Sequence, residues 1–142
     1  MPDLIDASVW LPLSAPDHVH HERALQYWTD ESADDVLFCR MTALALLRLL
    51  TNGHVMGKSV LDGATAWAAL QTWLRTAGVG FVSEPTAIDE FLAAWSDKLK
   101  IAGARWTDAY LAAFAVAGGF RLVSFDGDFA QYQLVDFLHL ES

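Results

Sequence analysis

Short apolar runs alternate with helical stretches along almost the whole chain, and this alternation restricts the fold more than any other feature. "DLIDASVW" (3–10), "DVLFC" (35–39), "VGFVSEP" (79–85) and "FRLVSF" (120–125) read as strands, with "LVDFLHL" (134–140) as a candidate fifth. Between them, apolar residues recur at helical spacing. The expected helices lie within 15–31, with Asp17 as N-cap; over 41–53, stopped by Asn-Gly; over 61–78 and 86–99; and over 107–119, capped by Thr107. The segment 52–59 reads as a soft connection. Most strands lack strict polar alternation, as expected of strands covered on both faces. The expected architecture is α/β: a central parallel sheet covered by helices on both faces, residues 1–142 forming one domain.

Composition agrees. The chain is 54% hydrophobic with six Trp and eight Phe, enough for a sizeable core and incompatible with disorder. No apolar run reaches the roughly 18 residues of a membrane span. The N-terminus lacks the basic region of a signal peptide. Cys39 is the single cysteine, which excludes an internal disulfide and a CxxC zinc site and points to a reduced, cytoplasmic setting. The net charge of −9 argues against a general nucleic-acid coat, which needs a basic face. It is compatible with a nuclease that attracts phosphate through carboxylate-held metal, or with binding to a basic protein segment.

In a parallel sheet, ligands gather beyond the carboxyl ends of the strands, near the switch in strand order. Asp6 and Asp126 map to that edge, Asp128 follows two residues later, and Asp108 opens the helix that feeds the fourth strand. Each has a plainer reading: Asp126-Gly127 as a turn, Asp108 as an anion complementing a helix dipole. Taken together, such carboxylates would repel one another. Mg²⁺ or Mn²⁺, which prefer oxygen ligands, would resolve the repulsion and create a site for phosphoryl transfer or hydrolysis. No glycine-rich dinucleotide fingerprint or P-loop is present, and Asp6-Ala7-Ser8 lacks the D-x-D of haloacid-dehalogenase-like folds.

"LIDASVW", "CRMTALALLRLLTN" and "WTDAYLAAFAVAGGFRLVSFDGDF", in this order, resemble PIN-domain proteins, in particular the VapC-type toxins of bacterial toxin–antitoxin pairs. The resemblance implies a PIN-like fold, a three-layer α/β/α sandwich with a central parallel sheet, and a Mg²⁺- or Mn²⁺-dependent endoribonuclease that acts on RNA, forms a homodimer and is inhibited by a small VapB-type antitoxin. It assigns Asp6, Asp108 and Asp126 to catalysis and metal binding, with Asp128 as a supporting ligand. Ser8 and Ser124 would add hydroxyl hydrogen bonds nearby, and Arg105 would contact substrate. One position departs from the family pattern: Ala43 stands where a Glu is expected, and Glu84 is the nearest substitute by topology. This motivates an alternative, a PIN-like module that binds antitoxin or RNA without efficient cleavage.

Other features carry plainer readings. His18, His20 and His21 lack the spacing of a metal site and read as exposed first-turn residues. Trp67, Trp73 and Trp95 read as core or as cover for a partner groove. Lys98, Lys100 and Arg105 form the one basic cluster, either a solvated loop or a guide for an RNA backbone.

Overall fold

A computed structural model describes residues 1–141. Five strands, β1 (Asp3–Ile5), β2 (Val36–Phe38), β3 (Val79–Phe81), β4 (Arg121–Ser124) and β5 (Asp136–His139), form one sheet in the order β3-β2-β1-β4-β5. Every pairing is parallel, and Leu4 lies opposite Leu122 while Ile5 lies opposite Val123. The helices are α1 (Ala7–Ser14), α2 (His21–Gln26, continued by a π turn over Tyr27–Glu31), α3 (Arg40–Leu50), α4 (Gly53–Met56), α5 (Gly63–Leu74), α6 (Ile88–Lys98) and α7 (Arg105–Gly118).

The helices cover both faces of the sheet. Ile5, Phe38 and Val123 pack with Trp10, Leu46, Leu50 and Leu70 from α1, α3 and α5. Leu4 and Leu122 pack with Trp95, Leu111 and Phe114 from α6 and α7. Successive strand residues thus point into opposite apolar layers, which is why the strands show no polar alternation. β1 has β2 on one side and β4 on the other, so the order of the sheet reverses between β1 and β4. Among the described residues, no helix is long and apolar enough to cross a membrane.

Several boundaries differ from the sequence reading. The first strand ends at Ile5, and residues 7–14 are helical. Val9, Trp10 and Leu11 are all buried, and a short helix apolar on several sides cannot be told from a strand by periodicity. β3 stops at Phe81. Asp17 does not cap α2, which starts at His21; its carboxylate instead accepts a hydrogen bond from Ser59 (3.0 Å). Asn52-Gly53 does end α3, but Asn52 also caps α4 by accepting from the His54 amide (2.9 Å), so the soft segment is helical. α7 begins at Arg105, and the Thr107 hydroxyl turns back to donate to the Ala104 carbonyl (2.8 Å).

At the amino-terminal edge of the sheet, Asp3 is fully buried. Its carboxylate accepts hydrogen bonds from Arg121 Nε (2.8 Å) and Nη2 (2.9 Å), the Tyr27 hydroxyl (2.5 Å) and the Ala33 amide (3.0 Å). A carboxylate can be buried here because each of its oxygens is paired.

Candidate active site

The opposite edge of the sheet carries the acids. Asp6 is the hinge between β1 and α1. Its amide donates to the Val123 carbonyl (2.9 Å), and its own carbonyl accepts from the amides of Val9 (2.9 Å) and Trp10 (3.2 Å). The strand-to-helix reversal holds its side chain at the carboxyl edge of the sheet, where the strand order switches.

Ser124, the last residue of β4, is fully buried. Its hydroxyl donates to Asp6 Oδ2 (2.8 Å) and accepts from the Asp126 amide (2.9 Å). Ser8 Oγ accepts from the Phe125 amide (3.2 Å) and lies 3.1 Å from Ser124 Oγ. With Ser124 donating to Asp6, the Ser8 hydroxyl is left facing both Ser124 Oγ and the Asp6 carboxylate as acceptors. The two serines therefore lock the end of β1 to the end of β4 and orient Asp6.

Asp126 Oδ1 accepts from the Asp128 amide (2.9 Å), opening a 3₁₀ turn over Gly127–Gln131. The plain turn reading of Asp126-Gly127 therefore holds alongside any role in chemistry.

Asp108 lies in the first turn of α7 and is half-buried. Its carboxyl is pushed up to about 6, first by burial and then by the charges of Asp126, Asp6 and Asp128, with Arg105 opposing. Asp6 is also raised, chiefly by burial. Hydrogen bonds from Ser124, Ser8 and the Ala7 amide offset part of the rise, and Asp126 adds to it. Carboxylates from three distant segments thus share one electrostatic field.

Among the described residues, no three acidic, histidine or cysteine side chains form a ready-made metal cage. An open edge of hard carboxylate oxygens nonetheless fits Mg²⁺ or Mn²⁺. Mg²⁺ keeps several waters and is commonly held by only one or two carboxylates.

Arg105 stands at the rim. Its Nη2 donates to Gln131 Oε1 (2.7 Å) and its Nη1 to the Lys100 carbonyl (3.4 Å). With Gly127, Asp128 and Gln131 it lines an open cleft of about 450 Å³. Lys98 and Lys100 are engaged by Gln133 (2.9 Å) and Asp97 (3.2 Å), so the basic cluster divides and Arg105 is its member beside the acids. Tyr132 is a residue that sequence reading missed. It is buried, its hydroxyl finds no hydrogen-bond partner among the described residues, and it feels the charges of Asp108 and Arg105. No motif marks it in the sequence.

Glu84 accepts a hydrogen bond from the Tyr110 hydroxyl (2.6 Å), beyond the end of β3 at the far side of the sheet. Ala43 is buried in the apolar core that contains Trp10 and Leu46, so a carboxylate there would be enclosed by hydrocarbon. α3 as a whole, "RMTALALLRLL", offers no acid. His21 Nδ1 packs against the Pro12 carbonyl (2.8 Å), and the three histidines form no metal cluster. Trp95 is buried, Trp73 is half-buried with Nε1 donating to Ser14 (2.8 Å), and Trp67 is half exposed.

A parallel α/β/α sandwich with aspartates from β1, β4 and the preceding helix at its switch point defines a class, and comparison agrees. The chain belongs to the PIN-domain family, whose family model matches residues 4–134. Within that family it belongs with the VapC-type toxins. It is 42% identical over 135 residues to ribonuclease VapC41 of Mycobacterium tuberculosis, covering 91% of this chain and 92% of that protein. The fold is similar to the crystal structure of VapC20 of M. tuberculosis, described as a sarcin–ricin-loop-cleaving toxin. There the TM-score is 0.67 at 20% identity, covering 94% of this chain and 97% of that one. It is also similar to VapBC-1 from nontypeable Haemophilus influenzae, with a TM-score of 0.71 at 13% identity over 99% and 98% of the two chains.

Proposed function

We propose that this chain is a divalent-metal-dependent endoribonuclease toxin, held in check by a small antitoxin and working as a homodimer. The observation that carries the reading is the placing of Asp6, Asp108 and Asp126, from three distant segments, at the sheet's switch point, where burial and then the charges of its neighbours raise the Asp108 carboxyl. Asp6, Asp108 and Asp126 would hold Mg²⁺ or Mn²⁺, with Asp128 in support. When bound, the ion supplies Lewis acidity for attack of water on the phosphodiester.

The chain's own residues do the positioning. Ser124 and Ser8 fix the Asp6 carboxylate. The Asp128 amide fixes that of Asp126. Arg105, braced by Gln131, presents its guanidinium towards an RNA phosphate beside the acids. The name ribonuclease of a relative at 42% identity supports the activity. VapBC complexes among structures of the same fold support an antitoxin partner. A basic side chain of that antitoxin would neutralise the acidic edge.

The test is cleavage of an end-labelled transfer-RNA pool by antitoxin-free protein in Mn²⁺, Mg²⁺ or chelator, with Asp126→Asn in parallel. Discrete cuts that require metal and Asp126 are expected. Folded protein that binds RNA without cutting it in either metal would favour the non-cleaving module that the acid-free α3 suggests.

A further inference from the structure

An apolar groove of about 480 Å³ runs from the acidic edge into the helical layer of α1 and α3. Leu11, Val19, His20, Leu49 and Phe125 form its walls, and Asp126 closes one end. We propose that this groove seats an unpaired nucleobase of the RNA whose phosphodiester lies at Asp6, Asp108 and Asp126, with His20 as the residue that sets base preference. The proposal rests on the nuclease reading above.

Three observations carry it. The first is a prepared ring platform. His20 and Phe125 stack with centroids 4.7 Å apart and planes inclined by 17°. Phe125 is pinned by its amide to Ser8 (3.2 Å) and by its carbonyl to His139 Nε2 (3.1 Å). The loop carrying His20 is pinned too, because the His20 amide donates to His18 Nδ1 (3.0 Å). Second, His20 Nδ1 is shielded from solvent with no partner among the described residues. An enclosed nitrogen without a partner costs the fold free energy, so its retention calls for an explanation outside the fold. Third, Val19 stands 86% exposed at the mouth, an apolar residue uncovered beside an apolar groove.

The chemistry selects a base. Carboxylates and any cation would engage the phosphate, so the groove continuous with Asp126 takes what that phosphate is attached to. Apolar walls and a fixed ring stack suit a flat aromatic heterocycle, and RNA is read in single-stranded segments by stacking splayed bases on aromatic side chains, His among them. The volume falls in the range of small-molecule pockets, about 300–1,000 Å³.

The test uses a randomised RNA pool, half of it closed into hairpin loops, cut by the full antitoxin-free chain in Mn²⁺ and sequenced at the new ends. The wild-type chain is expected to show a base preference at one nucleotide beside the cut. His20→Ala should reduce that preference at least about five-fold, the lower range of one lost base stack, and raise KM, while preferences at other positions persist. His20→Phe, which restores a stacking ring, should regain a preference at the same position. Leu49→Arg, which fills the groove from α3, should weaken RNA binding and provides a second variant should His20→Ala melt early. Wild-type cutting with no flanking preference overturns the base site, as does a folded His20→Ala with an unchanged profile. If that variant keeps its profile but escapes inhibition by an antitoxin peptide, the groove is a protein-docking site and the proposal falls. No cutting of any pool member by the wild-type chain overturns the nuclease reading itself, and the base site with it.

Discussion

Asp108→Asn should make the metal-free protein more stable while removing its response to metal. The Asp108 carboxyl titrates at about 6 in the fold against an ordinary 3.8, because burial and the charges of Asp126, Asp6 and Asp128 disfavour its anion. Two units at about 1.36 kcal/mol each set a ceiling of about 3 kcal/mol. The side chain is half-buried, and solvent screening reduces this to about 1–1.5 kcal/mol. The unfolded chain releases this proton near pH 4 and the folded chain near pH 6. Between those values the folded state holds more protons, so stability falls as pH rises and the penalty is complete above about pH 7. An uncharged Asn carries no such penalty. In chelator at pH 8 the variant should melt about 3–5 °C above wild type, and the gap should shrink as pH is lowered towards 5. Excess Mn²⁺ should reverse the order, since binding to the folded state raises the wild-type midpoint and the variant lacks a ligand. Thermal melts at the two pH values, with and without Mn²⁺, test this. A variant less stable than wild type at pH 8 in chelator, or one with an undiminished Mn²⁺ response, would refute the electrostatic argument.

Further expectations concern residues that support the fold or orient the acids. Asp3→Asn should cost about 2–4 kcal/mol in urea unfolding, because it takes the countercharge from part-buried Arg121; a loss below about 1 kcal/mol would show that the network contributes little. Ser124→Ala removes the donor to Asp6 and the acceptor for the Asp126 amide. It should cost about 1–3 kcal/mol and move the acid limb of the cleavage pH profile upwards, since Asp6 loses a bond that stabilises its anion. Ala43→Glu should destabilise by about 3 kcal/mol or more and fail to raise cleavage, because the position is enclosed in the apolar core; a stable and more active variant would show that α3 can turn this side chain to the acids.

Much of the molecule is legible without coordinates. β2 and β4 lie within the expected runs, and the helices that cover them follow the spacing of buried residues such as Leu46 and Leu50, or Leu111 and Ala115. Asp6 and Asp126 follow apolar strands, and strand ends in a parallel sheet are where ligands gather, so their candidacy follows from local pattern and a rule of topology. These features are local because hydrophobic periodicity depends only on near neighbours. Residues 7–14 mark its limit, since a helix buried on several sides presents the same run of Val, Trp and Leu as a strand.

What the tertiary structure decided is everything that depends on segments far apart in the chain. The order β3-β2-β1-β4-β5 places the end of β1 beside the end of β4, and only then do Asp6, Ser124 and Asp126 become one hydrogen-bonded unit. Asp3 illustrates the same point at the other edge. In sequence it is an acid opening an apolar strand; in the sheet it is in register with Arg121, 118 residues away, which allows its burial. Position 43 faces the core and Glu84 lies across the sheet with Tyr110, facts about which way a helix and an edge strand face. Local pattern determines which residues prefer to be buried, but strand order and register determine which charges meet, and Coulomb and desolvation energies depend on those meetings.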